Sequence, residues 1–340
     1  MKKRWRTLLG FGISAIFIYV ALRGLDLRDV LHWVTQADYY WLIPSVAVYF
    51  VAVWGRTWRW HYMLRPIKAI SLPRLFPIVC IGYMGNNIFP FRAGEVLRAY
   101  VLRRSEDVSM SASLATIVVE RVFDGLVMLM FVFFALPFAP MPANLRPFVI
   151  VPSLLFFVLL VFFVVLATQP DLAQRVYRGT VRRLLPGTLR VKVDGFVERF
   201  LEGLHFFRSG RDVLMVFFTS VFIWLAETMK YWFVMQAFVH LGQGFPVEFY
   251  VLMLMNGIVN LATTLPSAPG YIGTFDTPGI EVLAAYGVER SLAVGYTLVL
   301  HAALWFPITI LGAWFFRRER LSWSDVETAR QQRAQGAGAA

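Results

Sequence analysis

Ionisable side chains sit where apolar stretches should exclude them. Arg92 and Glu95 follow a Gly/Pro-broken segment, Gly85-Asn86-Asn87-Ile88-Phe89-Pro90-Phe91-Arg92-Ala93-Gly94-Glu95. Glu120, Arg121 and Asp124 lie inside the next apolar run and Glu227 and Lys230 inside a later one. Asp276 and Glu281 flank a second break, Leu265-Pro266-Ser267-Ala268-Pro269-Gly270-Tyr271-Ile272-Gly273-Thr274-Phe275-Asp276. An uncompensated charge at the centre of a bilayer costs a few kcal/mol on insertion scales, so each needs a partner or a function. The chemistry these residues suit is capture of an anion. A phosphodiester is held best by a permanently charged donor of fork geometry, which arginine supplies, together with backbone N–H groups at a helix start. Arg92 precedes the helical stretch Val96 to Leu102, and Gly94 permits close backbone approach.

Glu120 and Asp124 share one helix face, and Arg121 can reach Asp124 at i+3. Two acids against one base require a further cation. Two readings follow: a structural network pinning the broken segment to its neighbouring helix, or a network that holds Arg92 as a headgroup ligand and changes partners during transport. Glu227 and Lys230, at i and i+3, read as a self-neutralising pair. Arg98, one or two turns into the same helix, has two readings: a further anion ligand or a marker of the cytoplasmic boundary. At the second break, Pro266, Pro269, Gly270 and Gly273 free backbone groups, and Thr274 or Asp276 caps the returning half-helix. Asn86, Asn87, Asn256 and Asn260 supply uncharged hydrogen bonds, between helices or along a path.

The elements that must position these residues are membrane spans. The chain has 340 residues, 58% hydrophobic and 16% aromatic, with apolar runs long enough for a hydrocarbon core of about 30 Å. Its net charge of +12 falls in clusters at 2–6, 56–74, 98–104, 175–211 and 317–320, whereas 137–147 and 241–247 carry only Arg146. That is the positive-inside distribution of a multi-pass protein rather than a nucleic-acid footprint. The single cysteine, Cys80, excludes an internal disulfide and reads as packing.

With the basic clusters inside, 7–22 is a retained first span. Asp26 to Tyr39 is interfacial, anchored by Trp33, Tyr39 and Tyr40, and Trp41 to Val53 returns inward. The apolar stretch from Leu75 is too short for two crossings, so about 75–102 forms a re-entrant helical hairpin. Spans over 111–138 and 148–167 follow, then a basic, amphipathic segment over about 168–212 on the anionic inner surface. After a span over 213–241, parity makes about 249–286 a second re-entrant hairpin from the opposite face. The last span, 292–316, leaves a polar tail over 321–340. The expected fold is all-α: about six full spans plus two opposed re-entrant hairpins, arranged as inverted repeats, with both termini cytoplasmic. Paired broken segments of this kind point to a transport site.

Motifs of soluble catalysis are missing: there is no G-x-x-x-x-G-K-[ST], H-E-x-x-H or G-x-S-x-G, and the five histidines lack ligand spacing. We therefore expect no enzyme activity, cofactor or metal. The expected partners are membrane lipids with phosphate-containing headgroups and anionic inner-leaflet lipid. A homodimer suits such a fold, although no small-xxx-small stripe marks its interface.

Three motifs in register, 85–95, Glu120-Arg121-Val122-Phe123-Asp124-Gly125 and Pro266-Ser267-Ala268-Pro269-Gly270-Tyr271-Ile272-Gly273, give the chain a family likeness over about residues 5–320. It resembles the flippase-like transmembrane domain of lysylphosphatidylglycerol synthases, the multiple peptide resistance factors. In those proteins a cytosolic aminoacyltransferase domain follows and builds aminoacylated phosphatidylglycerol, which the membrane domain moves to the outer leaflet. The resemblance implies lipid translocation without synthase activity for this chain, leaves the lipid open, and makes Arg92, Glu95, Glu120, Arg121 and Asp124 the functional core.

Overall fold

The computed structural model describes residues 26–89, 92–135, 137–138, 210–241, 245, 247–263 and 268–322, with isolated positions within 12–23 and 150–179. The expected first span, the return span over 148–167 and nearly all of the basic segment fall outside the described residues. So do Pro90, Pro266 and the tail beyond 322.

The described residues are helical, with no strand among them. Their elements are α1 (Leu27–Gln36), α2 (Leu42–Leu64), α3 (Leu72–Ile88), α4 (Ala93–Glu106), α5 (Met110–Ala135), α6 (Gly210–Val239), α7 (Phe249–Ala262), α8 (Asp276–Ala285) and α9 (Arg290–Arg318). Short 3-10 turns at Tyr39–Trp41 and Pro269–Tyr271 join α1 to α2 and lie between α7 and α8. Local chemistry explains the boundaries. Asp26 caps α1 by accepting from the Arg28 N–H at 2.8 Å, and Pro73 occupies the first turn of α3, where its missing N–H costs nothing.

α6 and α9 are each long and apolar enough to cross a membrane, and α1 with α2, bent by 71°, adds a third candidate if the pair is one span. α5 has 26 residues, ample length, but carries Glu120, Arg121 and Asp124 in its middle. Side chains such as Phe133, Phe134, Phe218, Phe222, Ile310 and Trp314 stay exposed on the outside of the bundle, as a lipid-facing surface requires. This is a multi-pass membrane architecture. α2 packs along α6, α3 along α9, and α7 along α5, so the two halves of the chain interdigitate.

The first broken segment is a tight helical hairpin of α3 and α4. Its closeness depends on glycine: a Cβ at Gly94 would lie 1.9 Å from the Gly82 carbonyl oxygen, and one at Gly85 would lie 2.7 Å from the Gly94 Cα. The close approach that Gly94 allows is therefore to the partner helix of its own hairpin. The chain re-enters α4 through Arg92, whose φ of 50° is left-handed, a conformation that costs a non-glycine residue about 1–2 kcal/mol.

The positive-inside reading fails in one place. α2 does not end at Val53 but continues to Leu64, and Arg56 and Arg59, assigned by position to a cytoplasmic cluster, are buried in its second half. The physical reason is partnership: carboxylates on α5 and α6 neutralise them inside the bundle, which a count of loop charges does not register.

Because the hairpin is held backbone to backbone, Gly94→Ala is expected to destabilise the protein by about 1–3 kcal/mol through overpacking. A lowered midpoint of thermal unfolding in detergent, with little effect from Ala99→Gly on the same helix beyond helix propensity, checks this.

Candidate functional site

Three helices are fastened by a buried ion pair. Arg59 of α2 places Nη1 2.6 Å from Asp124 Oδ1 of α5 and donates to Ser220 Oγ of α6 at 2.7 Å. The indole N–H of Trp224, also on α6, donates to the same carboxylate oxygen at 2.9 Å. The side chain of Arg59 is 0% exposed and that of Asp124 3%, so neither charge has water as an alternative partner. Arg98 of α4 pairs with Glu120 at 2.8 Å and lies 3.9 Å over the Trp60 ring. Arg98 is thus a hairpin anchor and not a boundary marker. Arg121 reaches Asp124 at 3.4 Å, Glu95 at 3.4 Å and Glu120 at 3.8 Å. Besides Arg121, the cations that offset Glu120 and Asp124 come from α2 and α4, and Arg92 takes no part in that pairing.

Beside this hub lies a cavity of about 140 Å³, bounded by the α3–α4 tip, the Pro269–Phe275 break and the middle of α2, α6 and α9. Its polar lining makes it a space for water or for a polar group rather than a dry void. Among the described residues, four basic side chains face it, Arg56, Arg92, Arg121 and Lys230, against one carboxylate, Glu227. Glu227 is committed twice, to Arg56 and to Lys230. The expected self-neutralising pair is therefore a triad with a positive charge left over. Aromatic faces support those cations: Arg56 sits 5.5 Å from the Tyr83 ring and 5.4 Å from Trp224, and Lys230 sits 4.7 Å from Tyr49.

On the opposite wall, Arg92 is 3.6 Å from Glu95 and 5.7 Å over the Tyr271 ring, with long contacts to the Thr263 carbonyl and hydroxyl oxygens at 3.4 and 3.5 Å. These are loose partners for a guanidinium, and its buried Nε has no hydrogen bond. Among the described residues of the hub and cavity, six basic side chains (Arg56, Arg59, Arg92, Arg98, Arg121, Lys230) meet four carboxylates (Glu95, Glu120, Asp124, Glu227). Among the described residues, Asp276 is a further carboxylate close behind the cavity, reached through His301.

The two broken segments meet at the cavity. Asn87 donates to Thr309 Oγ1 at 2.8 Å, fixing the first tip to α9, and its carbonyl lies against Gly270. Gly270, at φ 71°, has no space for a side chain: a Cβ would come within 2.9 Å of Trp305 Nε1. Its carbonyl accepts from His301 Nε2 at 2.8 Å, while His301 Nδ1 lies 2.7 Å from Asp276 Oδ1. Asp276 Oδ2 accepts from the Gly273 N–H at 2.8 Å. The returning helix begins after Phe275 with no side-chain cap; Asp276, expected to cap it, lies in its first turn and instead ties the Gly273 N–H of the break to His301.

Of the residues singled out in the sequence, Asn86, Asn87, Arg92, Arg121, Glu227, Lys230, Asn260 and Gly270 line the cavity. Glu95, Glu120 and Asp124 stand behind it as counterions, and Asp276 reaches it only through His301. Pro266 lies outside the described residues. Glu281, near the second break, pairs with Arg290 at 2.6 Å away from the cavity. The asparagines act partly as interhelical ties, Asn256 donating to Thr228 at 3.0 Å. Sequence reasoning missed Arg56, Arg59 and His301. The signal for the first two was present: Arg56 and Arg59 share a helix face within an aromatic, acid-free stretch from Trp54 to Trp60.

The buried hub yields a stability prediction. Asp124→Asn strands Arg59 without a counterion and should cost about 3–5 kcal/mol, whereas the double replacement Arg59→Met with Asp124→Leu should recover most of that loss. Reversible unfolding in mixed micelles, run as a double-mutant cycle, measures both.

The family model described as "Lysylphosphatidylglycerol synthase TM region" matches residues 7–312. Among similar proteins, a UPF0104 membrane protein of Methanocaldococcus jannaschii is 22% identical over 88% of this chain and 91% of its own length. One from Methanothermobacter thermautotrophicus is 23% identical over 92% of this chain and 94% of its own. Glycosyltransferase AglD of Haloferax volcanii is 24% identical over 91% of this chain, a match that takes in 54% of that longer protein. With its described helices, its buried charge network and a match that runs almost end to end, the chain belongs to the family of the lysylphosphatidylglycerol synthase transmembrane region.

Proposed function

We propose that this protein is a membrane lipid translocase that passes a phosphate-containing headgroup between leaflets through the cavity where the two broken segments meet. The observation that carries the reading is the charge imbalance around that cavity: among the described residues of the hub and cavity six basic side chains meet four carboxylates, and the one carboxylate that lines the cavity, Glu227, is already doubly paired. A phosphate offers several acceptor oxygens to arginine forks and an ammonium, and its charge would offset the surplus. In this reading the headgroup crosses through the polar, cation-lined space while the apolar tails remain in lipid.

In this reading the two hairpins are re-entrant from opposite faces, as inverted repeats, and sit among about six full spans in the cytoplasmic membrane with both termini inside. The contact of Gly270 with Asn87, and of Tyr271 with Arg92, supports opposed tips. The charge clusters of the sequence support the orientation. The protein is a carrier and not an enzyme, and with no nucleotide-binding motif in the sequence its transport runs downhill or is coupled to an ion.

The likeness to a glycosyltransferase favours one alternative: a membrane scaffold that serves a separately encoded transferase. Translocation in proteoliposomes discriminates the two. Wild type should transfer headgroup-labelled phosphatidylglycerol, and Arg92→Ala should slow transfer by roughly tenfold or more, the loss of a charge-assisted bond of about 1.5–3 kcal/mol, with insertion unchanged. Equal rates for the two would contradict the site. Absence of transfer by folded wild type would favour the scaffold.

A further inference from the structure

His301 has an acceptor at each ring nitrogen. The Gly270 carbonyl can only accept, so Nε2 carries a hydrogen; the other nitrogen faces Asp276 Oδ1 at 2.7 Å. A neutral imidazole with Nε2–H presents a lone pair at Nδ1, which would oppose the lone pairs of an ionised carboxylate. The contact therefore requires one hydrogen between Nδ1 and Oδ1, carried either as imidazolium with carboxylate or as imidazole with carboxylic acid. Both descriptions hold one proton more than the separated neutral histidine and ionised aspartate. The side chains of His301 and Asp276 are 15% and 13% exposed, with the Phe275 ring packed 4.7 Å from the imidazole.

We infer that Asp276 and His301 form a proton-binding site that fastens the second broken segment to α9 and makes the proton a co-transported ion. The bonds it controls belong to the break itself: His301 holds the Gly270 carbonyl, and Asp276 holds the Gly273 N–H. When the proton leaves, the imidazole cannot donate to both acceptors, so either the tie to Gly270 or the tie to Asp276 is lost. The turn that closes the cavity against the first tip is then released on one side.

The surroundings set the sign of the coupling. Facing the same cavity are Arg56 from α2, Arg92 from the start of α4, Arg121 from α5, and Lys230 and Glu227 from α6. The phenols of Tyr49, Tyr83, Tyr231 and Tyr271 complete the titratable set, and α8 contributes Asp276. With its proton the Asp276–His301 pair is neutral and the cation surplus is undiminished. Without it the pair carries one negative charge, which opposes an incoming anion. An anionic headgroup and a proton should thus each favour the other's binding, by the same factor. The linkage to a headgroup rests on the translocase reading; the proton site itself does not.

The test uses full-length protein, labelled with ¹⁵N-histidine, in nanodiscs of zwitterionic lipid, with His301→Gln assigning the signal. At neutral pH both ring nitrogens of His301 should report bound or shared hydrogens, and Asp276→Asn, whose amide can donate to Nδ1, should lower the midpoint of titration by about one pH unit or more. A neutral ring with one free nitrogen, titrating identically in the Asn variant, would overturn the proton site. Adding short-chain phosphatidylglycerol should raise the wild-type midpoint, and an unmoved midpoint with the shared proton present would overturn the coupling. Translocation of the same lipid by wild type in proteoliposomes, measured in parallel, separates that result from failure of the translocase reading.

Discussion

Everything in this molecule hangs on the need of a buried charge for a partner. Arg59 and Asp124 are enclosed by an apolar bundle, and neither can be left alone without a penalty of several kcal/mol. Satisfying them fixes the relative positions of α2, α5 and α6, because Ser220 and Trp224 must also present their donors. Glu120 and Arg98 impose the same discipline on α4. An apolar pair of similar volume could pack as well or better, so the ions specify an arrangement more than they add stability.

That arrangement is what allows the cavity to be out of balance. Arg121 belongs to both worlds: its contacts with Asp124, Glu120 and Glu95 anchor it in the hub, and it faces the cavity. Arg56 and Lys230 share a single carboxylate, and Arg92 is held by long contacts. The structure is therefore graded from tightly paired charges at the hub to under-paired ones at the meeting point of the two breaks. A site that must bind an anion and let it go again is better served by the loose end of such a gradient than by the tight end. The second break adds a neutral, proton-dependent fastening at the same place.

Much of this was legible in the residues, and the limits are instructive. The two interrupted segments announced themselves through Gly, Pro and charge. Their helices lie close to the expected positions, α3 and α4 over 72–106 and α7 and α8 over 249–285. The i, i+3 reach of Arg121 to Asp124 followed from helix geometry alone. What the sequence hid was partnership across distance. Arg56 and Arg59 read as topogenic charges because a loop-charge rule weighs position, and only packing reveals Glu227 and Asp124 beside them. His301 read as one of five scattered histidines because Gly270 and Asp276 lie 31 and 25 residues away. Gly94 was correctly read as a place of close approach, but what approaches is Gly82 and Gly85, since nothing local distinguishes a neighbouring helix from a ligand.

The central claim is that the under-paired cations between the two breaks receive a lipid phosphate. A cryo-EM structure of the full-length protein in nanodiscs rich in anionic phospholipid tests it most directly. The account predicts phosphate density within hydrogen-bond distance of Arg92 and of Arg56 or Lys230. A well-ordered cavity holding only water, with lipid phosphates confined to the two membrane surfaces, would contradict it.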